Sequence, residues 1–131
     1  EVMEFLAIVA VLPLMQYIFF ATLVGQARGK FGVNGPAVTG HPVFERYFRV
    51  QMNTLELLIA LLPGLWLFAH YVSPAWAAIL GTVYLVGRFM YLRSYVADPA
   101  QRGAGFGLSL LPILALLLGA LIGAVLALLR A

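Results

Sequence analysis

The chain has 131 residues, 63% of them hydrophobic and only 10% charged, with a mean hydropathy of +0.99 and a formal charge of +3. Soluble domains carry about 45–50% apolar and about 25% charged residues, so this composition excludes an ordinary water-soluble fold. The Lys and Arg residues are scattered among apolar segments with no basic run, which speaks against a nucleic-acid partner. There is no cysteine, which removes disulfides, thiolate metal sites and a cysteine nucleophile from consideration.

A membrane-spanning helix needs about 20 mostly apolar residues, and four of them with short connections use the whole length. The expected fold class is therefore all-α, an integral membrane four-helix bundle forming one domain over residues 1–131. Its helices are placed at about 2–27, 42–72, 75–96 and 104–130. The first segment opens on Glu1 and Glu4, with no basic region before it and no small-residue cleavage site after it. It reads as a span, not as a signal peptide. The Gly, Asn and Pro content of the following QARGKFGVNGPAVTGHP predicts a loop.

Pro42 suits the first turn of the second helix, where its missing N–H is not needed. That helix starts amphipathic in VFERYFRVQMN and turns apolar from Thr54, with a bend expected at Pro63-Gly64. Ser73-Pro74 is a minimal connection. The third helix is expected to stop at Asp98-Pro99, before the polar turn AQRGAG. On the fourth, Gly119 and Gly123 have the small-xxx-small spacing that allows close helix approach, either within the subunit or at a dimer face. Trp66, Tyr71 and Trp76 form an aromatic belt at one interface.

Positive charge is distributed unevenly over the connections. Arg28, Lys30, Arg46 and Arg49 flank the first, Arg88, Arg93 and Arg102 flank the third, and the second has only His70. The positive-inside rule then puts the first and third connections on the cytoplasmic side and both termini outside, in a bacterial inner membrane or an endomembrane.

Ionisable residues inside spans are costly and point to function by default. On the second helix Arg46, Arg49, Asn53 and Glu56 fall on one face, at about 100° per residue. On the third, Tyr84, Arg88, Tyr91 and Tyr95 form another stripe, which Gly81 extends, while Arg93 points away and suits lipid head groups. The two stripes converge on the basic side beside Arg28 and Arg102. Guanidinium groups clasp carboxylates bidentately and Glu56 can receive an ammonium, so the pocket suits a small anion that also carries an amine. The competing reading is that Arg–Glu pairs only hold helices together and that tyrosines only anchor the interface. His41 and His70 lie far apart on opposite sides, so no metal site is expected. GAGFG follows no strand and is better suited to close helix packing than to a dinucleotide.

Three segments in order, GKFGVNGPAVTGHP, FERYFRVQMNTLE and GRFMYLRSYVADPAQRG, resemble the MAPEG family, membrane-associated proteins in eicosanoid and glutathione metabolism. The nearest likeness is to its microsomal glutathione transferase and leukotriene C synthase branch, in a bacterial form. The resemblance covers about Arg28 to Gly107. It implies a left-handed bundle assembled as a homotrimer, with sites between subunits. Glutathione would be the co-substrate, a hydrophobic electrophile or lipid would arrive from the bilayer, and no metal would be needed. The matching positions imply glutathione contacts from Arg28, Arg49, Gln51, Asn53, Glu56, Arg88, Tyr91 and Tyr95. They also imply that Arg102 activates the thiol, with Tyr91 as a hydrogen-bond helper. Leu57 stands where some eicosanoid-producing members have Tyr, so a leukotriene-type substrate is not implied.

The implied activity is glutathione transfer to lipophilic electrophiles, or peroxide reduction. A guanidinium beside sulfur in a partly desolvated site favours the thiolate, which is the reactive form. A non-catalytic lipid-binding scaffold of the same fold is the alternative. A channel is disfavoured because no span carries a polar face through its full depth.

Overall fold

A computed structural model describes residues 1–131. Four helices follow in order, α1 (Val2–Phe31), α2 (Pro42–Tyr71), α3 (Pro74–Ala97) and α4 (Gly103–Arg130), with a 3-10 turn at Pro99–Gln101 before α4. They run alternately up and down. The α2–α3 connection therefore lies at the same end as both termini, and the two basic connections lie at the other. All four are long and apolar enough to cross a bilayer. Large apolar side chains such as Ile59, Leu111, Leu118 and Leu121 cover the outside of the bundle. In water such a surface would aggregate; in a bilayer it is solvated by lipid, and the chain is a multi-pass integral membrane protein.

Local chemistry sets most helix ends. His41 caps α2, its Nδ1 accepting from the Val43 N–H at 3.1 Å while its ring stacks on Phe31 at 4.1 Å. Ser73 caps α3 through the Trp76 N–H at 3.2 Å, and Pro42 and Pro74 occupy the first helical positions. The first helix departs from expectation. Gln26–Phe31 is helical, not loop, because Gln, Ala, Arg and Lys are good helix formers and the one glycine among them, Gly29, is tolerated. The helix stops only at Gly32, whose φ of 69° is accessible to glycine at little cost. α2 stays helical through Pro63.

The half of the bundle nearer the termini is an apolar core built on Leu58, Leu61, Leu65 and Phe68 of α2, closed by Tyr84, Ile113 and Leu116. Gly119 and Gly123 belong to it. A Cβ on Gly119 would lie 2.5 Å from the Phe68 ring, and one on Gly123 would lie 2.9 Å from the Tyr71 carbonyl. Their spacing therefore serves α4–α2 packing inside the subunit.

Toward the basic end, α3 and α4 touch backbone to backbone. A Cβ on Gly105 would come within 2.5 Å of the Tyr91 nitrogen, and one on Gly87 within 2.6 Å of the Leu108 carbonyl carbon. Gly105 of GAGFG and Gly87 of GRFMY thus set the α3–α4 separation at the level of the polar stripes.

Candidate functional site

A cavity of about 440 Å³ opens near the basic end between α2, α3 and the start of α4. Arg49, Asn53, Tyr91, Tyr95, Arg102 and Phe106 line it. Each helix contributes by its own periodicity. Arg49 and Asn53 are one turn apart on α2, Tyr91 and Tyr95 one turn apart on α3, and Phe106 sits in the first turn of α4. The two tyrosine rings stack at 5.3 Å, and Phe106 packs against Tyr91 at 6.1 Å. Arg102, just before α4, donates from Nη1 to the Pro99 carbonyl at 3.0 Å, a bond that holds it at the rim.

Beneath the cavity lies Arg88, with 0% of its surface exposed. Its Nε donates to Ser109 Oγ at 2.9 Å, and its Nη1 to Asn53 Oδ1 at 2.8 Å and Thr54 Oγ1 at 3.1 Å. The guanidinium carbon stands 4.4 Å from the Tyr91 ring centre and 5.9 Å from that of Tyr84. No carboxylate pairs with it. The only ion pairs are Glu1 with Glu4 at the N-terminus and Arg49 with Glu56 at 3.2 Å. Three neutral oxygens take up Nε and Nη1 and two aromatic faces lie against the guanidinium, while Nη2 is buried without a hydrogen-bond partner.

The residues expected to form the site are therefore distributed in three ways. Arg49, Asn53, Tyr91, Tyr95 and Arg102 converge on one cavity. Arg88 supports it from below, and Glu56 joins it only through Arg49, with both side chains of that pair about half exposed. Arg28 and Gln51 are elsewhere. Arg28 donates to the Ala37 carbonyl at 2.6 Å and lies 4.8 Å over the Phe44 ring, tying down the first connection. Gln51 sits between Arg49 and Asn53 in sequence, about 200° round the helix from either, and faces away from the cavity.

Two stripe members have other tasks. Arg46 donates to the Val96 and Ala97 carbonyls at 3.0 and 3.3 Å and caps the end of α3. Tyr84 is buried in the apolar core.

Phe106, Ser109 and Thr54 were not singled out in the sequence. For Ser109 a signal exists, since it is the one hydroxyl in the otherwise apolar run LSLLPILALLLGALIG. Thr54 next to Asn53 is unremarkable in sequence, because Thr commonly bonds its own helix, as here to Val50 at 2.8 Å.

Chemically the cavity offers two guanidiniums, an amide N–H₂ and two phenols, an arrangement that can hold an anion and stabilise negative charge developing beside Arg102. Comparison with known proteins agrees in kind. The chain matches the MAPEG family over residues 6–122. It is 46% identical over 118 residues to human microsomal glutathione S-transferase 2, covering 88% of this chain and 80% of that one. It is 48% identical over 116 residues to an uncharacterized Synechocystis protein, covering 88% and 85% respectively. Leukotriene C4 synthase from Bos taurus is 36% identical over 97 residues, covering 74% of this chain and 65% of that one. With the family match running over nearly the whole bundle and through every residue of the cavity, the chain belongs to the MAPEG family.

Proposed function

We propose that this protein is a membrane-bound, glutathione-dependent transferase or peroxidase that acts on lipophilic electrophiles. The observation that carries the reading is the convergence of Arg49, Asn53, Tyr91, Tyr95 and Arg102 on one interfacial cavity. Glutathione is a polyanion with one ammonium. Its carboxylates match Arg49 and the Asn53 amide, and its ammonium matches Glu56. Its sulfur is assigned to Arg102 and the Tyr91 phenol. A free thiol near pKa 8.5 is mostly protonated at neutral pH, and a guanidinium in contact with sulfur raises the thiolate fraction.

The thiolate then attacks an electrophilic carbon, forming the C–S bond as the leaving group departs or as the carbanion takes a proton. With a hydroperoxide it attacks the O–O bond instead. An alcohol leaves, and a second glutathione converts the sulfenic acid to disulfide and water. The hydrophobic partner reaches the site from the bilayer, over the apolar outer surface.

Arg28 and Gln51 enter this reading through assembly. They face away from their own cavity, which suits a homotrimer in which each protomer completes its neighbour's site. The basic end is assigned to the cytoplasm and the termini to the opposite side.

Titrating the detergent-solubilised protein with glutathione while following thiolate ultraviolet absorbance tests the reading. A saturable signal that disappears in Arg102→Ala is expected. A folded protein that gives neither binding nor thiolate would refute it.

A further inference from the structure

We propose that Ser109 and Thr54 are positioning residues: from α4 and α2 they hold the Arg88 guanidinium, and Arg88 in turn sets the Asn53 amide and the Tyr91 ring in the cavity. The consequence for ligand binding rests on the thiol-binding reading above; the positioning itself does not.

The case begins with hydrogen count. A serine or threonine hydroxyl has one hydrogen to donate. The Ser109 hydroxyl donates to the Gly105 carbonyl at 2.7 Å, and the Thr54 hydroxyl to the Val50 carbonyl at 2.8 Å. With that hydrogen committed to its own helix, each oxygen faces Arg88 only as an acceptor. The guanidinium is a planar fork of donors with no acceptor, so two acceptors on different helices fix both its position and its plane. Both hydroxyls are 0% exposed, and water does not compete for them.

The fixed guanidinium imposes two further constraints. Asn53 presents Oδ1 to Nη1 at 2.8 Å. Flipping that amide would set its N–H₂ against a cation with no acceptor, so the amide is locked with its donors available to the cavity. The Tyr91 ring centre stands 4.4 Å from the guanidinium carbon, and the ring stacks on Tyr95 on the cavity wall. Two hydroxyls that never touch the cavity thereby determine how two of its lining groups are presented.

A role limited to holding helices together would not predict specific changes at Tyr91. The variants are Thr54→Val, which keeps the shape and removes the acceptor, Thr54→Ser, which restores it, and Ser109→Ala. The protein is labelled with 3-fluorotyrosine, and the Tyr91 resonance is assigned by its absence in Tyr91→Phe. The glutathione titration is run alongside across pH.

In Thr54→Val and Ser109→Ala the Tyr91 fluorine resonance is expected to shift or broaden. Glutathione affinity should fall about tenfold and the thiolate midpoint should move to higher pH. Thr54→Ser should match the parent in all three. Folded variants with an unchanged Tyr91 resonance overturn the proposal. So does loss of fold in both Thr54→Val and Ser109→Ala, which would leave the hydroxyls a purely structural role. If the parent protein forms no thiolate, the glutathione reading fails and the fluorine spectrum alone decides on the positioning.

Discussion

The bundle holds two arginine arrangements a short distance apart, and they differ in nearly every physical respect. Arg49 meets a carboxylate, Glu56, at 3.2 Å, and both side chains are about half exposed. Arg88 meets no carboxylate, is wholly enclosed, and is bonded to Asn53, Thr54 and Ser109. By charge pairing alone Arg49 would count as the anchored residue. By solvation the order reverses. An exposed pair exchanges water for a weak, salt-screened attraction, whereas a buried guanidinium with neutral acceptors has no second place to go. The Arg49–Glu56 pair is half exposed and held only by its own weak attraction, whereas Arg88 is fixed beneath the cavity.

Removing the buried cation is the strongest way to break this contrast. Arg88→Met leaves Asn53, Thr54 and Ser109 without their common donor and should cost about 3 kcal/mol or more of fold stability, read as a lower midpoint in detergent-denaturation curves. A stability close to the parent's would mean that the buried network is dispensable.

Next in size is a change in chemistry without a change in fold. Arg102→Ala should lower kcat/KM toward a model electrophile by about 10²-fold, the usual cost of losing one charge-stabilising donor, while the denaturation midpoint stays near the parent's. A parallel fall in both would make Arg102 a structural residue like Arg88.

The separation of α3 and α4 is tested by Gly105→Ala. Its Cβ would lie 2.5 Å from the Tyr91 backbone nitrogen, an atom that cannot step aside. Overpacking of this kind costs about 1–3 kcal/mol and should also pull Ser109 away from Arg88. The same change at Gly107, where a Cβ meets nothing within 4 Å, is the matched control and should leave the midpoint unchanged.

The smallest stability effect belongs to the exposed pair. Glu56→Gln should change stability by less than about 1 kcal/mol, and less still at high salt, while weakening glutathione binding. A large loss of stability would place Glu56 with Arg88 and erase the difference between the two arrangements.

How much of this was legible beforehand depends on the kind of interaction. The four helices were, because a bilayer demands about 20 apolar residues per span and the backbone has no alternative to helix there. Helical period also placed Arg49 with Asn53, and Tyr91 with Tyr95, since residues four apart share a face whatever the fold. The C-terminal end of α1 was not legible. In Gln26–Phe31 local helix propensity prevailed over the loop character of the glycines around it, and only the left-handed Gly32 ended the helix.

Spacing along one helix determined which side chains share a face, and composition determined that the bundle as a whole sits in lipid. What period cannot supply is the partner across the interface. The Gly87 and Gly105 contacts bring α4 close enough for Ser109 to reach Arg88, and that approach is a property of two helices together. The same holds for Arg46, which sits on the polar stripe yet spends its donors on the end of α3. It holds again for Arg28, whose donor is taken up by the Ala37 carbonyl of the folded first connection. Local sequence thus determined the helices and their polar faces. Tertiary packing decided which of those polar groups stay free to meet a ligand, because a donor already satisfied by its own fold has little left to offer.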